Sequence, residues 1–173
     1  MGNANAGLVV RTAASFCEQF WEKETVPTIS QYIGIPNKSP YFDPKWVENG
    51  HMEKAVTLLS EWAKKHAPPG TKLEVQRLNN EKGTPRTPLI FLEIPASGDS
   101  RKEDTVLPYG HLDKQPEMTG WREGLDPWKP VREGELLYGR GGGDDGYATF
   151  PSLAAIKLLQ EQKKPHVRLV VVI

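Results

Sequence analysis

Two stretches of this sequence carry residue types that could do chemistry. In Val106-Leu107-Pro108-Tyr109-Gly110-His111-Leu112-Asp113 an apolar strand would deliver a histidine at its C-terminal end, with an aspartate two residues on. Extended backbone sends residues i and i+2 to the same side. Asp113 can therefore approach the His111 imidazole and orient it, as the outer partners of metal-bound histidines commonly do. Taken alone, a surface histidine beside a loop aspartate accounts for this stretch as well. The second stretch runs Leu136-Leu137-Tyr138-Gly139-Arg140-Gly141-Gly142-Gly143-Asp144-Asp145-Gly146, from a predicted strand into a predicted helix. Glycines at 139, 141, 142 and 143 let the backbone pass close to something. Adjacent Asp144 and Asp145 repel one another unless a cation, a hydrogen-bond network or a proton compensates. A solvated glycine turn with a helix-capping aspartate is the plain alternative.

The two stretches mean more together than apart. A histidine and an aspartate at neighbouring strand ends, with Asp113 behind the ring, offer nitrogen and carboxylate ligands suited to zinc. A carboxylate able to bridge two ions fits the paired-metal hydrolases. A rival reading uses the same loop, because Gly141, Gly143 and Gly146 fit the G-x-G-x-x-G spacing of dinucleotide sites. Electrostatics oppose it. Asp144 and Asp145 would stand where a pyrophosphate should lie, at a helix N-terminus already facing two anions. A third reading is a non-catalytic structural or partner-binding segment.

Stepping along the chain, residues 8–24 read as a helix, and Pro27 with Ile35–Pro40 as an extended surface segment. Asp43-Pro44 would open a second helix, Asp43 as N-cap and Pro44 at the first helical position. Its stripe is Met52, Val56, Leu59 and Ala63, and Pro68-Pro69-Gly70 ends it. Strands are predicted over 71–78, 88–94, 104–110, 131–138 and 166–173. A helix over 148–162 carries Ala155, Leu158 and Leu159 at helical spacing. This pattern predicts an α/β fold with a mixed, largely parallel sheet, flanking helices and both sheet faces buried. The run Leu169-Val170-Val171-Val172-Ile173 has nothing polar to end it, so residue 173 is expected to be a truncation point within a longer protein.

With 173 residues, one domain with a real core is the prior. Hydrophobic residues make up 38%, and 16 Gly with 15 Pro fall short of a low-complexity chain. Lys and Arg balance Asp and Glu at 22 each, so no global field recruits nucleic acid or an anionic membrane. No apolar run approaches a bilayer span. Cys17 is the single cysteine, which precludes an intrachain disulfide. It falls on a stripe with Ala13, Phe16 and Phe20 and is expected to be buried. No signal-peptide pattern opens the chain. Gly2 lacks the Ser or Thr that myristoylation wants, finding Ala6 instead. A cytoplasmic protein is the default.

The motifs Gly110-His111-Leu112-Asp113, Gln115-Pro116, Gly120-Trp121, Pro127-Trp128 and Leu137-Tyr138-Gly139-Arg140-Gly141-x-x-Asp144-Asp145 resemble the aminoacylase/carnosine dipeptidase family of dinuclear zinc peptidases, most of all its carnosine dipeptidase branch. The match is dense over about 105–160. The resemblance implies that His111 ligates one zinc, Asp113 orients it, Asp144 bridges two zincs and Asp145 follows across a cis peptide bond. It implies a dipeptide or related amide as substrate, with two zincs polarising the scissile carbonyl and making a bridging water more acidic. It also implies that residues 1–173 form the N-terminal part of a catalytic domain. The general-base glutamate, further ligands and a lid domain that usually dimerises would then lie beyond residue 173, in the remainder of the polypeptide, and this chain alone would be nearly inactive. His51, His66 and His166 match no family position and are expected at the surface. Gly146-Tyr147 stands where the family often has Lys-Gly.

Overall fold

The computed structural model describes residues 9–101 and 103–173. Gly2, Ala6 and the first residue of the expected helix lie outside the described residues. The N-terminal helical arm comprises α1 (Val10–Phe20), a π-helical turn (Trp21–Thr25) and α2 (Val26–Ile33). Helix therefore runs through Pro27, where an extended segment was expected. Pro27 follows the π-helical turn within one continuous helical run. Phe16 and Phe20 stack at 5.7 Å, and Phe20 meets Trp62 edge-on at 5.9 Å. Cys17 is exposed, contrary to expectation. The residue after Phe16 is turned about 100° round the helix, away from the face that this pair buries.

Asp43 does not cap a long helix directly. A single turn, α3 (Trp46–Asn49), comes first, and Gly50 at φ +67° breaks it from α4 (His51–His66). The Asp43 carboxylate instead accepts from the Lys45 N–H and the Asn49 amide. Met52, Val56, Leu59 and Ala63 are buried as their spacing predicts. On α5 (Thr149–Glu161) the buried line is Phe150, Leu153, Ile156 and Leu158, while Ala155 faces solvent.

The main sheet has the order β1-β2-β6-β3, formed by β1 (Lys72–Gln76), β2 (Leu89–Ile94), β3 (Thr105–Val106) and β6 (Arg168–Val172). It is mixed, and the fold is α/β as expected. Within this sheet β3 pairs parallel with β6, and their connection contains α5 and supplies the crossover such pairing needs. β1–β2 and β2–β6 are antiparallel. Burial alternates along β2, with Ile90, Leu92 and Ile94 on the core side. β6 shows a continuous buried run, Leu169–Val171. The expected strand over 131–138 is a hairpin, β4 (Val131–Glu133) against β5 (Leu136–Tyr138). Gly134 at φ +59° makes the tight turn. One core unites α2, α4, α5, β2 and β6.

Candidate metal centre

Past β3, the backbone keeps step with β6. The Val172 N–H donates to the Pro108 carbonyl (3.0 Å), and the Gly110 N–H donates to the Val172 carbonyl (3.1 Å). This pairing delivers His111 at the C-terminal end of a parallel strand, the usual place for ligands in such sheets. The glycine loop after β5 arrives beside it. Gly110 must be glycine here. A Cβ on it would lie 2.9 Å from Asp145 Oδ2 and would overlap the Ala148 side chain. The His111 N–H donates to Asp145 Oδ2 at 3.3 Å, tying the strand end to the loop. The Asp144–Asp145 peptide bond is cis, as the family resemblance implies.

His111 Nδ1 lies 3.0 Å from the Asp113 carbonyl and 3.2 Å from Asp113 Oδ1. Both are acceptors, so a proton on Nδ1 would satisfy them and leave the Nε2 lone pair for an ion. That nitrogen lies 3.4 Å from Asp144 Oδ1, with the two side chains 39% and 61% exposed. Two donors about 2.0–2.2 Å from one tetrahedral zinc stand about 3.3–3.5 Å apart. An imidazole nitrogen and a carboxylate oxygen at this spacing, with the far ring nitrogen held by an acceptor, fit a zinc ion. Among the described residues no group of three or more His, Cys, Asp and Glu is placed to hold a metal. The pair comprises two donors, fewer than the three a catalytic zinc usually takes from protein. His51, His66 and His166 stand apart from it. His66 and His166 are buried rather than at the surface. His66 packs between Trp62 and Phe20, 4.4 and 5.4 Å between ring centroids, and the His166 N–H donates to Ser97.

Beneath the pair lies a buried polar knot that sequence reasoning missed. Leu112, between His111 and Asp113, has its carbonyl bonded by both the Tyr32 hydroxyl and the Asn37 amide, each at 2.6 Å. Burial raises the Tyr32 pKa, and the Asp113, Asp144 and Asp145 carboxylates add to the rise. Lys114 is 1% exposed, and burial pulls its pKa down to about 7. Its amine donates to the carbonyls of Tyr32 (2.7 Å), Ile33 (3.3 Å) and Ile35 (2.7 Å), and lies 4.0 Å from the Tyr32 ring centre. These carbonyls cluster at the C-terminal end of α2, which carries partial negative charge. The signal was a lysine inside an otherwise recognised motif. Nothing local tells a buried lysine from a solvated one.

The glycine loop closes over this knot. A Cβ on Gly141 would come 2.5 Å from Lys114 Cε, and one on Gly146 would fall within the Tyr32 ring. The Tyr32 ring thus accounts for the departure at 146, since a lysine there has no room. The close approach that Gly141 and Gly146 permit is taken up by the chain's own Lys114 and Tyr32 side chains. Trp121 and Trp128 brace the same region. The Trp121 indole donates to the Glu117 carbonyl (2.8 Å), and the Arg140 N–H donates to the Pro127 carbonyl (2.8 Å).

The mixed α/β fold is shared with solved peptidase structures. The structure is similar to human carnosine dipeptidase 1, with TM-score 0.69 and 18% identity, covering 94% of this chain and 34% of that one. It is similar also to the di-peptidase Dug1p of Saccharomyces cerevisiae, with TM-score 0.68 and 22% identity, covering 94% and 33%. A third likeness is to the M20 family metallo-carboxypeptidase Sso-CP2 of Sulfolobus solfataricus, with TM-score 0.61 and 22% identity, covering 87% and 30%. The chain spans about a third of the length of these structures. No curated protein matches its sequence. Residues 107–173, which hold both motifs, match the family model for peptidase family M20/M25/M40. The match covers that segment of the chain, and the solved structures share its fold. Among the described residues no helix is long and apolar enough to cross a membrane.

Proposed function

We propose that this chain supplies His111 and Asp144 to a dinuclear zinc site, and that the complete protein hydrolyses a dipeptide or a related amide bond. The observation that carries the proposal is the 3.4 Å separation of His111 Nε2 and Asp144 Oδ1, the spacing of two ligands on one ion. Asp113 keeps the proton on Nδ1, so Nε2 is free to act as a donor. Asp144 presents Oδ1 toward His111, and its second oxygen remains for a neighbouring ion. Asp145 holds the strand end against the loop through the His111 N–H. When bound, zinc would supply Lewis acidity to the scissile carbonyl. The dipeptidases among the similar structures support a dipeptide substrate.

Ligands beyond these two, and the general base, would come from outside these 173 residues, together with any dimerising lid. The chain by itself would then bind zinc weakly and turn over little. A cytoplasmic setting suits a chain with one cysteine. The test is zinc titration of this chain against a competing chromophoric chelator, alongside His111→Asn and Asp144→Asn. Loss of binding in both variants supports the proposal. Binding untouched by both would remove it.

A further inference from the structure

We propose that Lys114 is a positioning residue for the metal pair, setting the distance between His111 and Asp144 from beneath. The inference rests on the zinc reading above and goes beyond it, since Lys114 touches neither donor. Its amine spans three carbonyls around the end of α2, from Tyr32 to Ile35. Its backbone joins the same segment: the Lys114 N–H donates to the Asn37 carbonyl (3.0 Å), and the Lys114 carbonyl accepts from the Ser39 N–H (2.9 Å). Lys114 therefore fixes where the chain leaves Asp113. The Tyr32 and Asn37 bonds to the Leu112 carbonyl fix where it leaves His111.

The other ligand is located from the same place. The Lys114 side chain forms the floor under Gly141, and Tyr32, whose carbonyl binds the amine, forms the floor under Gly146. These two glycines flank Asp144-Asp145, and the Gly146 N–H closes the loop onto the Gly141 carbonyl at 3.0 Å. One buried side chain thus sets the height of both loops against one helix end. Removing the amine leaves the Tyr32 and Ile35 carbonyls with only the Ile35 and Asn37 N–H groups, which bond along the same segment. The tie from 111–114 to this segment is then lost, and with it the fixed distance from the glycine loop. The Asp113 acceptors then no longer meet Nδ1 in one geometry.

A merely structural lysine would change stability and leave the His111 ring alone. The distinguishing readout is the His111 tautomer, read from imidazole 15N shifts of the metal-free chain and compared between wild type and variants at one pH. The wild-type chain is expected to hold the proton on Nδ1. Lys114→Met, which keeps the length and removes the amine, is expected to drift toward a mixture of tautomers. Its zinc affinity should fall about 10- to 100-fold, the usual effect of losing an outer partner. Lys114→Gln, which keeps a donor, should fall between the two. A cooperatively folded Lys114→Met with wild-type tautomer and affinity overturns the proposal. If Lys114→Met does not fold, Lys114→Gln decides, and wild-type behaviour there overturns it equally. The zinc reading fails separately, by His111→Asn leaving wild-type zinc binding intact, and the tautomer measurement still judges Lys114 in that case.

Discussion

The Leu112 carbonyl offers a sharp test of how the site is held. It is buried and accepts two bonds at 2.6 Å, from the Tyr32 hydroxyl and the Asn37 amide. Tyr32→Phe removes one oxygen, opens almost no cavity and leaves the carbonyl one donor. Its cost is that of one hydrogen bond, about 1 kcal/mol. Asn37→Ala removes the other donor at a similar cost, about 1 kcal/mol. The double variant leaves the carbonyl with neither, which adds about 1–3 kcal/mol for an unsatisfied buried group. The double variant should therefore lose about 3–5 kcal/mol. An unfolding entropy of about 2.1 cal/mol/K per residue over 173 residues converts these values to about 3 °C for each single variant and about 8–14 °C for the pair. Urea unfolding followed by tryptophan fluorescence measures the cycle, with the slope m expected to stay constant. Additivity within about 0.3 kcal/mol would refute the reasoning, because it would mean that the two donors do not share the carbonyl.

Gly146→Ala places a Cβ within the Tyr32 ring, and overpacking of this kind should lower stability by about 1–3 kcal/mol or more, read as a lower thermal midpoint. Phe150→Ala empties a fully buried site 4.6 Å from the Trp62 ring centre and should cost about 3–5 kcal/mol by denaturant titration. Burial lowers the His66 pKa more than Glu24 raises it, so the unfolded chain protonates first as pH falls through about 6.5. The folded state then loses stability down to the folded pKa, and His66→Leu should flatten that part of the thermal midpoint–pH curve. Dipeptide hydrolysis with added zinc should be negligible for this chain beside a longer one carrying further ligands. Comparable turnover by both, abolished here by Asp144→Ala, would show that the catalytic machinery was placed wrongly.

The sequence by itself determined the features that depend on local chemistry. The period of Met52, Val56, Leu59 and Ala63 defined the buried face of α4, because a helix repeats its face every 3.6 residues. The Gly110-His111-Leu112-Asp113 and Gly141-x-x-Asp144-Asp145 motifs named the residues that meet, since strand ends and glycine turns dictate where such side chains emerge. Interruptions were less legible. Pro27 reads as a helix stop in sequence, yet it follows a π-helical turn within one continuous helical run. Gly134 reads as one residue within a strand, yet it turns the β4–β5 hairpin.

Tertiary structure alone decided what lies behind the site. Cys17 faces outward while His66 and His166 are buried, because burial depends on what packs against a helix face or a strand end. Pairing direction also came from the assembled sheet, in which β2 lies antiparallel to β6 while β3 runs parallel to it. The knot of Tyr32, Asn37 and Lys114 joins residues about 80 positions apart in sequence. No local pattern encodes such a contact. A lysine is ordinarily solvated, and Lys114 is buried here because folding brings the carbonyls of Tyr32, Ile33 and Ile35 at the end of α2 within reach of its amine.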